Sequence, residues 1–410
     1  MRFTDHTFDV PLDHDRPHGE RIIVYAREVT ADPALPWLLF LGGGPGFAAP
    51  RPLGHEGWLL RALRDYRVLL LDQRGTGRST PVTRGVALSR GASYLAHFRA
   101  DSIARDAEVI RRSLAGDEPW TLLGQSFGGL CTLTYLSFAG EGLRAALVTG
   151  GLPGVTADAV GAYRTLYPVV ALKNRAHYRA YPEDREQARR VASFLLSHDV
   201  RLPNGRRFTV EAFQSAGNML GGRDGSARLH YLLESPFEGD QLSDAFLLSA
   251  QEALSWATAA NPLYYLLHEA TYAQGDGATG WAAHRVRAEF PAFDARRALS
   301  GDAAVLFTGE MIYPWMFDDD PLMAPLRPIA DELANRPQWP DLYDLDRLRC
   351  NRVPVAAAVY DTDMYVSREL SLQTAPLVGE LRLWHTDAHQ HDGLRMSNGE
   401  VLSHLLTLLD

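Results

Sequence analysis

Apolar residues along this chain follow two rhythms. Up to about residue 150, and again from 353, short apolar runs alternate with stretches of helical spacing. Residues 7–12 and 21–27 alternate polar and apolar side chains on either side of the charged turn 13–19. That pattern predicts an antiparallel hairpin at a sheet edge. Residues 36–41 and 66–71 are continuous apolar runs, as expected of strands covered on both faces. Ile103, Ala107, Ile110 and Leu114 set a helix over 97–115. Further strands are expected at the run from Trp120, at 143–150, at 353–360 and at 380–384, with helices over 367–377 and 397–409. Such alternation predicts a mostly parallel, doubly wound α/β sheet. Between the two blocks, residues 157–197, 225–275 and 280–298 read as helices with few strand signals. The expected organisation is an α/β domain from 1–154 and 341–410, with 155–340 as a large, mostly helical cap insertion.

The run from Trp120 ends in Gly124-Gln125-Ser126-Phe127-Gly128, and a helical stretch follows to Phe138. G-x-S-x-G between a strand and a helix is the nucleophile elbow of the α/β-hydrolase fold. The turn is strained, and the glycines remove side chains that would clash with it. Ser126 is therefore the candidate nucleophile.

A serine needs a base, and the base needs an orienting acid. In this fold they follow in the order Ser, acid, His, each on a loop after a strand. After the strand 353–360 come Asp361 and Asp363; proximity to the next helix favours Asp363. After the last strand come His385, His389 and His391. His385 is still at the strand end, and the Asp392-Gly393 turn favours His391. An oxyanion hole takes two backbone N–H groups. Phe127, next after the nucleophile, is expected to give one. The loop Gly42-Gly43-Gly44-Pro45-Gly46 is expected to give the other, from Gly44 first and Gly43 next.

The chain has 410 residues, 46% apolar and 22% charged, with a net charge of −9. These are values of a globular protein, and the acidic balance argues against a nucleic-acid partner. Two cysteines, Cys131 and Cys350, do not make a disulfide framework and are expected to be buried and reduced. The first residues lack an apolar signal core and no stretch is apolar for long enough to span a bilayer, so the default expectation is a cytoplasmic protein with no membrane partner. The glycine loop lacks the Gly-Lys-Ser/Thr ending of a phosphate loop, and no cofactor is expected.

The glycine loop 42–46, Asp72-Gln73-Arg74-Gly75-Thr76-Gly77-Arg78-Ser79 and Gly124–Gly129 together resemble the proline iminopeptidases, serine peptidases of the α/β-hydrolase fold. The resemblance extends to 309–315, 363–366 and 391–395, and is to the longer bacterial branch. It implies an exopeptidase that releases N-terminal proline from short peptides through an acyl-enzyme, with Ser126, Asp363 and His391 as triad and no metal. The glycine loop usually begins with His in that family; Gly42 stands there here.

An aminopeptidase must also hold a cationic amine, which calls for a carboxylate in a partly apolar pocket. At helical spacing Glu269 shares a stripe with Tyr265, Leu266, Tyr272 and Ala273. Glu234, between Tyr231 and Phe237, and Glu310, before Tyr313 and Trp315, are the other candidates. The family resemblance implies that glutamates of the insertion hold the amine, and Glu269 is the first position for that role. Tyr313 and Trp315 are expected to line a flat slot for the pyrrolidine ring. The competing expectation is an esterase or amidase on the same scaffold, which would need no free amine.

Overall fold

The computed structural model describes residues 1–54, 56–255 and 259–409. Among them eight strands form one sheet: β1 (Arg2–Pro11), β2 (Arg21–Thr30), β3 (Trp37–Leu41), β4 (Arg67–Asp72), β5 (Trp120–Gln125), β6 (Leu143–Thr149), β7 (Val355–Tyr360) and β8 (Leu381–Thr386). Their spatial order is β1-β2-β4-β3-β5-β6-β7-β8. β1 and β2 form the expected hairpin, and β2 joins β4 antiparallel. From β4 to β8 every pairing is parallel.

Continuous apolar runs become the central strands because both of their faces are covered. Leu39, Leu41, Leu69, Leu71 and Leu122 pack on the face whose core continues into the segment between β6 and β7. Leu38, Phe40, Val68, Leu70 and Leu123 pack on the opposite face, against Trp58, Leu59, Val401, Leu402 and Leu405 of helices Gly57–Ala62 and Glu400–Thr407. β7 is buried at every position, and its three alanines leave room for the layers on both sides.

The segment between β6 and β7 is mostly helical. Its longest elements are Ala159–Ala180 and Asp184–Ser197, where the apolar spacing puts a helical stretch. The expected run 225–275 is broken into Gly225–Leu233, Asp244–Ala253 and Leu263–Leu267, then a tight turn Glu269–Tyr272. Residues 256–258 of that run lie outside the described residues. Helix Arg84–Leu95 was not legible in the apolar spacing; Gly91, at φ 71°, breaks its period. The two thiols are free, but only Cys131 is buried; Cys350 is exposed, contrary to expectation. No helix among the described residues is long and apolar enough to cross a membrane.

Candidate active site

The sharp turn after β5 puts Ser126 at φ 55°, ψ −124°, directly before helix Phe127–Ala139. Its glycines are there for want of space. A Cβ on Gly124 would stand 2.4 Å from the Gly128 carbonyl oxygen, and one on Gly128 would stand 2.0 Å from that of Leu41. Real Cβ atoms do not come so close, so the positive φ of Ser126 is held by its surroundings. Ser126 itself is 9% exposed.

The loop after β7 carries Asp363, 2% exposed. Its Oδ1 accepts the amides of Tyr365 and Val366 at 2.9 and 3.1 Å, which fixes the carboxylate. Its Oδ2 lies 2.7 Å from Nδ1 of His391. The other two imidazoles stand elsewhere. His385 pairs with Asp361, which also takes Arg368 at 3.1 Å. His389 lies against the rings of Tyr360 and Trp384. The turn after β6 joins both halves of the site. Gly150, at φ 51°, is so placed that a Cβ would lie 3.2 Å from His391 Nδ1 and 3.3 Å from Asp363 Oδ2. A Cβ on the next residue, Gly151, would stand 2.4 Å from the Ser126 carbonyl oxygen. Two adjacent glycines thus abut the Asp363–His391 pair and the Ser126 backbone.

The imidazole of His391 is tuned by opposing effects. Burial lowers its pKa, but the charge of Asp363 and the hydrogen bond to it outweigh this, with help from Glu310 and Asp392, and the net shift is upward. Tyr365 packs edge-on to the ring, with centroids 4.6 Å apart.

The glycine loop after β3 approaches Ser126 through Gly43. A Cβ there would lie 3.1 Å from Ser126 Cβ and 3.5 Å from Oγ. Gly44, the first expectation, is at φ 142° and turns toward Phe47 instead. The 72–79 segment clamps this loop. Asp72 is fully buried and accepts the Ala49 amide at 3.0 Å and the Arg78 amide at 2.9 Å, while Gln73 Nε2 donates to the Gly42 carbonyl at 3.1 Å. Arg74, also buried, donates to Asp106 from Nε and Nη2 at 2.7 and 2.6 Å and to the carbonyls of Pro11, Leu12 and His97.

The inserted segment closes over these loops. Gly46 is at φ 89°, and a Cβ there would stand 2.7 Å from the Tyr264 nitrogen, while Phe47 meets the Tyr264 ring edge-on at 5.2 Å. Gly221 sits against Tyr365, and Asp392 accepts the Arg223 amide at 3.1 Å. Lys173 donates to Gln390, beside His391, and its pKa is lowered by burial. A cavity of about 310 Å³ reaches this place, lined by Trp58, Gln125, Gly222, Tyr365, His391 and Leu394.

The three candidate glutamates separate clearly. Glu269 is 8% exposed, but its oxygens accept the amides of Ala283 and Ala282 at 2.9 and 3.0 Å. It caps the N-terminus of helix Ala282–Arg287, which corrects the expectation of an amine ligand: the apolar stripe holds an acid because backbone donors satisfy it. Glu234 is exposed at the end of helix Gly225–Leu233, so the expected apolar setting is absent. Glu310 accepts from the hydroxyl of Tyr264, the residue that sits on the glycine loop. Its charge acts on His391, Tyr365, Tyr272 and His268. Among the described residues no arginine or lysine pairs with it.

Tyr313 and Trp315 are also displaced from the expected slot. Tyr313 is fully buried, bonded to Tyr167 through the hydroxyls at 2.9 Å, and stacks on Trp315. Trp315 lines a cavity of about 760 Å³ with His284 and Arg287, and that lining contains neither Ser126 nor His391. Tyr264 lies against Phe47 of the glycine loop, Tyr365 against the His391 ring, and Tyr272 within electrostatic reach of Asp363. Lys173 and Tyr264 carried no motif; only their place on helices that cover the sheet edge gives them their neighbours.

Residues 36–266 match the model of the α/β-hydrolase fold family. The chain is 46% identical to a proline iminopeptidase of Aeromonas sobria over 98% of its own length and 95% of that protein. It is 34% identical to a proline iminopeptidase of Aspergillus aculeatus, over 99% and 93%. The chain belongs to the proline iminopeptidase family. Membership in the proline iminopeptidases and an eight-stranded hydrolase sheet agree with each other, and both bear out the fold and family expected from the motifs.

Proposed function

We propose that this protein is a prolyl aminopeptidase in which Ser126 is the nucleophile, His391 the base and Asp363 its orienting acid. The observation that carries the reading is Glu310: a carboxylate without a cationic partner among the described residues, beside tyrosines and within electrostatic reach of His391. It binds the protonated imino group of an N-terminal proline. The ring lies among Tyr264, Tyr272 and Tyr365, and its carbonyl carbon is presented to Ser126 Oγ. His391 takes the hydroxyl proton as the oxygen attacks. The Phe127 and Gly43 amides receive the oxyanion. Collapse expels the amine of the second residue, which His391 protonates, and water then releases proline from the acyl-enzyme by the same steps.

In this reading residues 1–154 and 341–410 form the catalytic domain, and 155–340 the cap that selects the substrate. Short peptides with N-terminal proline are the substrates, acted on in the cytoplasm. The test is turnover of prolyl-naphthylamide beside its N-acetyl form. The peptidase cleaves only the free amine; equal cleavage of both assigns the site to an esterase or amidase.

A further inference from the structure

The cavity of about 310 Å³ at His391 is separate from the groups assigned to the proline. Its walls come from Gln125, His391, Phe40, Trp58, Tyr365 and Leu394, and its lining contains neither Glu310 nor Tyr264 nor Tyr272. The chemistry of the leaving group says what stands there. Nδ1 of His391 is engaged by Asp363 at 2.7 Å, so Nε2 is the nitrogen that hands a proton to the departing amine. That amine belongs to the second residue of the peptide. The second residue therefore stands at His391, and the cavity that His391 lines is the space open to its side chain.

The walls are apolar and already in place. Trp58, buried on helix Gly57–Ala62, packs on Phe40 with ring centroids 4.5 Å apart. Leu394, also buried, comes from the short helix Gly393–Met396 directly after the His391 loop. The inserted segment adds two adjacent glycines that are bare for different reasons. A Cβ on Gly221 would stand 2.1 Å from Cζ of Tyr365, so packing forbids a side chain there. Gly222, a lining residue, has φ −92° and ψ 163°, an extended backbone that any residue adopts. The nearest atom to a Cβ on it would be Asp392 Oδ2 at 3.1 Å, the end of a side chain. Neither backbone strain nor a backbone contact keeps Gly222 bare, and its missing side chain leaves the cavity open. Gln125 is half-buried beside the nucleophile, and among the described residues nothing hydrogen-bonds its side-chain amide. That amide is available to the peptide group beyond the leaving nitrogen.

We infer that this cavity seats the side chain of the residue after the N-terminal proline and selects a large apolar one. The inference rests on the peptidase reading. The volume is at the small end of ligand sites, with room for one large side chain and not for several. Glu56 and Asp392 on the wall, against the guanidinium of Arg395, leave the cavity negatively charged, so an acidic side chain is the poorest occupant.

The experiment measures kcat/KM for proline release from Pro-Phe-amide, Pro-Gly-amide and Pro-Asp-amide, in wild type and in Gly222→Leu, with the melting temperature of each protein. Wild type is expected to prefer Pro-Phe-amide to Pro-Gly-amide about 10–100-fold, as burial of one aromatic side chain allows, and to take Pro-Asp-amide no better than Pro-Gly-amide. Gly222→Leu fills the cavity and is expected to bring Pro-Phe-amide down to the level of Pro-Gly-amide. Equal values for these two peptides in the wild type, a measurement that needs no variant to fold, overturn the inference and leave the peptidase reading in place. So does a preference unchanged in a folded Gly222→Leu. Release of proline from none of the three peptides would remove the peptidase reading, and the cavity's role with it.

Discussion

The sheet edge around Ser126 and the inserted helices that cover it are held by different physics. At the edge, backbone sterics leave no choice: Gly124, Gly128 and Gly151 stand where any Cβ would run into a carbonyl. In the inserted segment the decisive question is which groups satisfy each buried charge. Glu269 and Glu310 both sit in aromatic surroundings on that segment. The first is spent on a helix N-terminus, and the second acts on the His391 imidazole with a tyrosine hydroxyl as its hydrogen-bond partner. Steric demands are written in short motifs. Charge satisfaction depends on neighbours distant in sequence, and no local pattern reveals it.

Variants break this comparison in order of effect. Ser126→Ala is expected to lower kcat for prolyl-naphthylamide about 10⁵-fold or more with the melting temperature retained. Substantial residual turnover would remove the serine from the chemistry. Asp363→Asn keeps the shape but loses the acceptor that orients His391, and kcat should fall about 10⁴-fold with KM little changed. Glu269→Gln leaves one of the two helix amides facing an NH₂ group. It should destabilise the protein by about 1–3 kcal/mol in denaturant titration, yet keep its preference for a free amine. A lost preference with intact stability would return Glu269 to the substrate.

The smallest effect is on pH. In the proposed mechanism His391 must be neutral to accept the serine proton, and its pKa is raised above the ordinary 6.5. Activity therefore falls as pH drops through a midpoint above 6.5. Glu310 contributes to that rise, so Glu310→Gln should move the acid limb of kcat/KM toward lower pH. A limb that stays in place would mean that the carboxylate does not act on the imidazole.

The fold was legible because buried parallel strands are continuous apolar runs and the hairpin alternates. Ser126 was legible because few sequences satisfy its turn. Asp363 and His391 emerged with rivals nearby, since a loop position does not say where a side chain points. The structure pairs Asp361 with His385 and rests His389 on aromatic rings, leaving the 2.7 Å contact between Asp363 and His391. A loop of consecutive glycines does not show that Gly43, rather than Gly44, faces Ser126. The place of Glu269 is hidden for a related reason: the helix it caps begins at Ala282, thirteen residues later, after a turn at Trp281 that no apolar period signals.

The most direct measurement is the ratio of kcat/KM for prolyl-naphthylamide to that for its N-acetyl form, in wild type and in Glu310→Gln. The account predicts a large ratio in the wild type that collapses in the variant, with the free-amine substrate losing on the order of 10²–10³-fold. A ratio left unchanged by Glu310→Gln in a folded protein would contradict it.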